Sequence, residues 1–179
     1  GAFAGVDFFV TDSTAIPRTS THREWRRAQR EQTALSLMMI DTDHFKAYND
    51  RHGHQAGDKL LQTIAASMVR SIRRSGDIAA RYGGDEFAIL LPSTSAEGAI
   101  VVGEKIRTCL AALCAEERVA ASNISIGIAS RTPGPGETFG DLMASADSAL
   151  YRAKEKGRNC TEVTLEPSVA RAVVTPRAA

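Results

Sequence analysis

The chain has 179 residues, 43% of them hydrophobic and 24% charged, and a formal net charge of +1. These are the values of one ordinary globular domain, long enough to bury a core, with no global field favouring nucleic acid or an anionic membrane. No apolar run approaches the ~20 residues of a membrane span, and the opening GAFAGVDFFV lacks the basic start of a signal peptide.

The elements follow in chain order. GAFAGVDFFV reads as a strand, or as the remnant of an upstream segment. Thr21-His22-Arg23-Glu24 has capping-box spacing, so a charged helix is predicted from there through WRRAQREQ. ALSLMMID, 34–41, is nearly all apolar and fits a strand buried on both faces. Asp43 is predicted to cap a short helix over HFKAYNDRH, with Gly53 at its end. A second helix from about Gly57 aligns Leu60, Leu61, Ile64, Met68 and Ile72. Residues 77–82 and 86–91 form a hairpin around Gly83-Gly84, closed by Pro92. Thr94-Ser95-Ala96-Glu97 opens a long helix through Val101, Ile106 and Leu110. SNISIGIAS, 122–130, is a strand, and TPGPGE is a loop. The last helix presents Leu142, Ala146, Ala149, Leu150 and Ala153 and stops at Gly157, after which TEVTL is a short strand. There is no internal repeat.

This order implies an α/β (α+β) fold: a single mixed sheet of about five strands with helices packed on it. The chain divides into a segment 1–20, a folded domain 21–165, and a tail 166–179 that has no face to bury and is expected to be flexible. Cys109, Cys114 and Cys160, odd in number and without paired spacing, fit reduced thiols and a cytoplasmic location.

The chemistry centres on RYGGDEFAILLP, 81–92, where Asp85 and Glu86 stand side by side at the mouth of a strand. The layout brings the end of the 35–41 strand beside that turn, so Asp41 approaches Asp85. Three carboxylates together repel unless they share a cation. Oxygen ligands without His or Cys select Mg²⁺ or Mn²⁺ over zinc, and such incomplete sites serve substrate phosphates. Backbone N–H groups at 44–46 suit an anionic phosphate, and Lys154 and Arg158 add side-chain cations. Gly83 and Gly84 let a nucleotide approach the backbone. Each feature also has a plainer reading. A Gly-Gly-Asp-Glu turn can be a solvated hairpin, an Asp after a strand can be a helix cap, and Lys154 with Arg158 can be a solvated face on the helix dipole. His52 and His54 flank Gly53 too closely for a metal pair and read as loop residues. Periodicity does not decide between these readings.

RYGGDEF, with IDTDHFKAYNDRHGHQAGD before it and ADSALYRAKEKGRN after it, resembles the GGDEF family of bacterial diguanylate cyclases. With Gly at ~7% and other residues near ~5%, GGDEF alone arises by chance in roughly one chain in ten thousand of this length. Three blocks in the right order rule coincidence out.

The resemblance implies a palm-like fold and the condensation of two GTP to cyclic di-GMP with release of two pyrophosphates, carried out by an antiparallel homodimer. By that resemblance Asp41, Asp85 and the Thr42 carbonyl hold Mg²⁺ (or Mn²⁺). Asp85 accepts the ribose 3′-hydroxyl proton, supported by Glu86. Asn49 and Asp58 read the guanine edge, His54 adds a substrate contact, and main chain near Phe45 and Lys46 holds phosphates with Lys154 and Arg158. An Asp facing the N1–H and N2 amino group is satisfied by guanine and left unpaired by adenine. Arg74-Ser75-Gly76-Asp77 matches the family's RxxD inhibitory motif for cyclic di-GMP, its alternative being an ordinary charged turn.

The chain departs from the family at its start. Thr11-Asp12-Ser13-Thr14-Ala15-Ile16-Pro17-Arg18 lacks the Leu, Gly and Asn of the usual D-x-L-T-G-L-x-N-R-R stretch. Two functions are therefore weighed. One is an active cyclase, favoured by the filled site positions. The other is a catalytically silent receptor for cyclic di-GMP or GTP, for which only the altered start speaks. No nucleic-acid partner and no membrane segment are expected.

Overall fold

The computed structural model describes residues 2–3, 6–9, 18–72, 74 and 76–165. Twelve elements follow in order: β1 (Ala2–Phe3), β2 (Val6–Phe9), α1 (Arg18–Glu31), β3 (Leu35–Thr42), α2 (Phe45–His52), α3 (His54–Ser71), β4 (Ile78–Gly83), β5 (Glu86–Pro92), α4 (Ala96–Glu116), β6 (Ile124–Arg131), α5 (Phe139–Glu155) and β7 (Thr161–Leu165). One sheet contains every strand among the described residues, in the order β1-β2-β4-β5-β3-β6-β7. Strands β4, β5, β3, β6 and β7 are the mixed sheet expected from the sequence. β2 extends it by pairing parallel to β4, and β1 pairs antiparallel to β2.

Strand β3 lies at the centre, antiparallel to both β5 and β6. Its alternating side chains feed two cores. Met38 and Ile40 pack with Tyr48 of α2, Leu60, Ile64 and Met68 of α3, and Ile106 and Leu110 of α4. Leu35, Leu37 and Met39 pack with Trp25 of α1 and Leu142, Ala146 and Leu150 of α5. Among the described residues three helices therefore cover one face and two the other, which is why residues 34–41 are nearly all apolar. β6 and β7 are parallel, joined through α5. α5 sits close on β6 because position 127 is Gly: a Cβ there would lie 2.1 Å from the Leu150 nitrogen and 2.4 Å from the Ala146 oxygen.

Several helix starts differ from the sequence reading. Helix α1 begins at Arg18, so the boundary drawn at residue 20 falls inside it, and Thr21 and Glu24 are buried positions on one helix face. Their spacing is that of neighbouring turns, which a capping box shares. Asp43 does not cap α2; the residue before the helix is His44, in the left-handed region at φ 56°, with no side-chain cap. α3 begins at His54, earlier than Gly57. For α4 the cap is Ser95, whose Oγ accepts from the Gly98 N–H at 3.3 Å, while the Thr94 hydroxyl bonds back to the Pro92 carbonyl. Gly53 does end α2, its N–H reaching the Asn49 carbonyl at 2.8 Å. Helix α5 carries an unforeseen capping box from Thr138 and Asp141. The expected flexible tail 166–179 and most of the divergent start, 10–17, lie outside the described residues. Among the described residues no helix is long and apolar enough to cross a membrane.

Candidate active site

The site is built where β3 runs out between its two neighbours. Asp41 is paired across the sheet with Glu86 of β5 on one side and Ser125 of β6 on the other. Thr42 then fastens the hairpin turn to the end of β3, its N–H and hydroxyl both donating to the Asp85 carbonyl, at 3.3 and 3.1 Å. The turn is clamped from its other side by Arg81, whose guanidinium donates to the Gly84 carbonyl at 2.9 and 2.6 Å. A register shift in β4 between Arg81 and Gly83 opens the strand pair at that point. Asp41, Asp85 and Glu86 therefore share one end of the sheet, as their sequence positions predict.

Charge at this end is unbalanced. Burial pushes the Asp85 carboxyl above the ordinary carboxylate range, and the neighbouring Asp41 pushes it further. Glu86 is raised by the same two causes in the same order. Helix α5 delivers one compensating cation from its last turn: Lys154 Nζ lies 2.8 Å from Asp41 Oδ2. Arg81 is a second cation acting on Asp85, and Asp147 of α5 is a further carboxylate acting on Glu86. Among the described residues no group of three His, Cys, Asp or Glu side chains converges to hold a metal unaided. The donor set nevertheless fits a hard divalent cation. Its side-chain donors, Asp41, Asp85 and Glu86, are all oxygen and carry negative charge that Lys154 and Arg81 only partly offset.

Beside these carboxylates, α2 and α3 form the second half of the site. Asn49 lies against α3, and its Oδ1 is buried without a hydrogen-bond partner. A Cβ at Gly57 would stand 1.8 Å from that oxygen and 3.2 Å from Phe45 Cζ, so only glycine admits the Asn49 amide there. Asp58 follows Gly57 directly, and His54 opens the same helix; both are exposed, as is Lys46 at the start of α2. Arg158 is exposed in the turn after α5, with φ 66°. Asn49, Phe45 and the 57–58 segment are therefore brought together. Lys154 is found on Asp41.

The family model described as "Diguanylate cyclase, GGDEF domain" matches residues 15–160. The chain belongs to the GGDEF family. It is 40% identical over 131 residues to diguanylate cyclase A of Treponema denticola, covering 72% of this chain and 35% of that one. It is 39% identical over 142 residues to diguanylate cyclase DgcP of Pseudomonas aeruginosa, covering 79% of this chain and 21% of that one. The chain thus spans well under half the length of these relatives. Among solved structures, the active GGEEF domain of a diguanylate cyclase from Vibrio cholerae superimposes with TM-score 0.74 at 31% identity, covering 83% of this chain and 94% of that one. The GGDEF domain of DgcB from Caulobacter crescentus, in complex with c-di-GMP, gives 0.70 at 32%, covering 81% and 86%.

The GGDEF signature occupies the β4–β5 turn, and the RxxD stretch lies at the opposite end of β4, about 20 Å away by strand length. Arg74 and Asp77 close a tight turn: the Arg74 N–H donates to Asp77 Oδ2 at 3.2 Å, and the Asp77 N–H to the Arg74 carbonyl at 3.1 Å. Asp77 is buried and Arg74 exposed; Ser75 lies outside the described residues. A cleft of about 600 Å³ opens there, lined by Arg70, Arg74, Asp77, Val101 and Lys105 among others. The sequence reading missed Gly57, Arg81 and Ser125. Of these, Gly57 entered the sequence analysis only as the start of the second helix.

Proposed function

We propose that this domain condenses two GTP to cyclic di-GMP with release of two pyrophosphates. What carries the reading is the grouping of Asp41, Asp85 and Glu86 at adjoining strand ends, with burial and mutual repulsion holding Asp85 and Glu86 above their ordinary range. A carboxylate with raised proton affinity is a better base than an exposed one. Asp85 takes the proton of the ribose 3′-hydroxyl, whose oxygen attacks the α-phosphorus of the GTP held by the facing domain. The bond to pyrophosphate breaks, and the same step in the opposite sense closes the ring. Glu86 supports Asp85.

Asn49 and Asp58 recognise the guanine edge, His54 adds a contact, and Gly83 and Gly84 leave room for the ribose and phosphate at the turn. Main-chain groups at Phe45 and Lys46, with Lys154 and Arg158, hold the β- and γ-phosphates. Asp41, Asp85 and the Thr42 carbonyl would hold Mg²⁺ or Mn²⁺, which neutralises phosphate charge that develops in the reaction. The support for these assignments is the fit of each residue to its task and the family to which the chain belongs. Each domain binds one nucleotide, so two domains must meet. Arg74 and Asp77 form a product site, with the guanidinium for phosphate or the guanine Hoogsteen edge.

Incubation with GTP and Mg²⁺ followed by nucleotide chromatography tests the reading. Cyclic di-GMP as product supports it. Tight nucleotide binding without turnover would favour the receptor role, and neither binding nor turnover would overturn both.

A further inference from the structure

Asp43 has no part in the scheme above, yet it is buried beside the site at 7% exposure. Both its oxygens are engaged across long stretches of chain. Oδ1 accepts from the Ser125 hydroxyl at 2.6 Å, and Oδ2 accepts from the main-chain N–H of Asn159 at 2.9 Å. Its own N–H goes to the Asn123 carbonyl at 2.9 Å. Asn159 is gripped from its other side by α4. Arg107 Nη2 donates to the Asn159 carbonyl and, at 2.8 Å, to its Oδ1, while Glu104 holds Arg107 Nη1 at 2.8 Å. The chain between is bent: Arg158 and Asn159 both lie in the left-handed region, at φ 66° and 46°. Two such residues in a row persist only where their surroundings fix them.

We propose that Asp43 and Arg107 are positioning residues that fasten the 157–160 turn to the β3–α2 turn. Arg158 and the first main-chain N–H groups of α2 are thereby held to one triphosphate. This rests on the GTP reading above. The joint acts through hydrogen bonds rather than through the charge of Asp43. An asparagine at 43 can accept the Asn159 N–H with its Oδ1 and donate its amide to Ser125, because a hydroxyl accepts as readily as it donates. An alanine leaves both donors without their partner.

The test is calorimetric binding of α,β-methylene GTP and of GMP, with Mg²⁺, to the whole chain. GMP lacks the phosphates that the joint serves. Asp43→Ala is expected to weaken the triphosphate analogue by about tenfold or more and to leave GMP within about twofold. Asp43→Asn is expected to stay within about twofold of the parent for both. Arg107→Met, on a partly exposed side chain, is expected to weaken the triphosphate alone by a few-fold, and it decides the matter if Asp43→Ala fails to fold. Equal loss of both nucleotides in these variants, an Asp43→Asn as impaired as Asp43→Ala, or an unchanged triphosphate affinity would overturn the joint. A parent chain that prefers GMP to the triphosphate would instead strike the GTP reading itself, and the joint with it.

Discussion

At Asp85, burial and the neighbouring Asp41 both favour the protonated acid, which makes the residue more basic than an exposed carboxylate. Asp85→Ala is expected to abolish cyclic di-GMP formation while leaving the fold intact, with an unfolding midpoint no lower than the parent's, because the change removes a carboxylate that burial and Asp41 both disfavour when ionised. Asp85→Glu is expected to retain activity, since the longer side chain keeps the carboxylate at the turn. Undiminished turnover in the alanine variant would remove Asp85 from the mechanism. The same shifts set a pH dependence. With Asp85 and Glu86 raised in the folded chain, their contribution to stability is present below the ordinary carboxylate range and is lost as pH rises through the raised values. A divalent cation favours the ionised forms and opposes that loss. The gain in thermal midpoint on adding Mg²⁺ should therefore grow from acid to neutral pH, and a gain that shrinks would contradict a shared cation. At Gly57 the expectation is steric. Gly57→Ala displaces the Asn49 amide and should weaken GMP binding by ~1–3 kcal/mol, measured by calorimetry beside AMP. An unchanged GMP affinity would return Asn49 to a packing role.

Among the elements, α5 matters most to the site because it delivers Lys154 to Asp41, and its seat on β6 depends on Gly127. Gly127→Ala would set a Cβ against the backbone of Leu150 and Ala146 and should destabilise the domain by ~1–3 kcal/mol, read as a lower unfolding midpoint. The central strands were legible because their burial is written in composition: β3 is apolar at most of its positions, and the Gly-Gly turn separates two apolar runs. The helix starts were less legible. Thr21 and Glu24 carry the spacing of a cap but lie on a buried helix face, and the Thr138 cap of α5 is completed by Asp141 rather than by the Glu of the usual capping box. Asp43 looked like a cap because its partners, Ser125 and Asn159, are 82 and 116 residues away, beyond any local spacing. The carboxylates of the site could be read from sequence because repulsion at a turn demands an explanation. The seating of Asn49 over Gly57 could not, since it depends on how two helices meet.

For the whole molecule, the two ends of β4 divide the proposed labour, with the carboxylate turn at one end and the RxxD cleft at the other. Product bound at the cleft would hold domains in arrangements that keep their turns apart. Arg74→Ala is then expected to relieve inhibition by cyclic di-GMP without lowering the initial rate, and unchanged inhibition would reduce RSGD to a charged turn. The proposed reaction needs two GTP-loaded domains face to face, so tethering them should raise their effective concentration toward the millimolar range. The most direct test of paired catalysis is the initial rate of cyclic di-GMP formation per chain, followed over dilution on the order of a hundredfold. The rate per chain should fall on dilution and recover when a dimerising helix is fused upstream; a constant specific activity across the series would contradict catalysis between two domains.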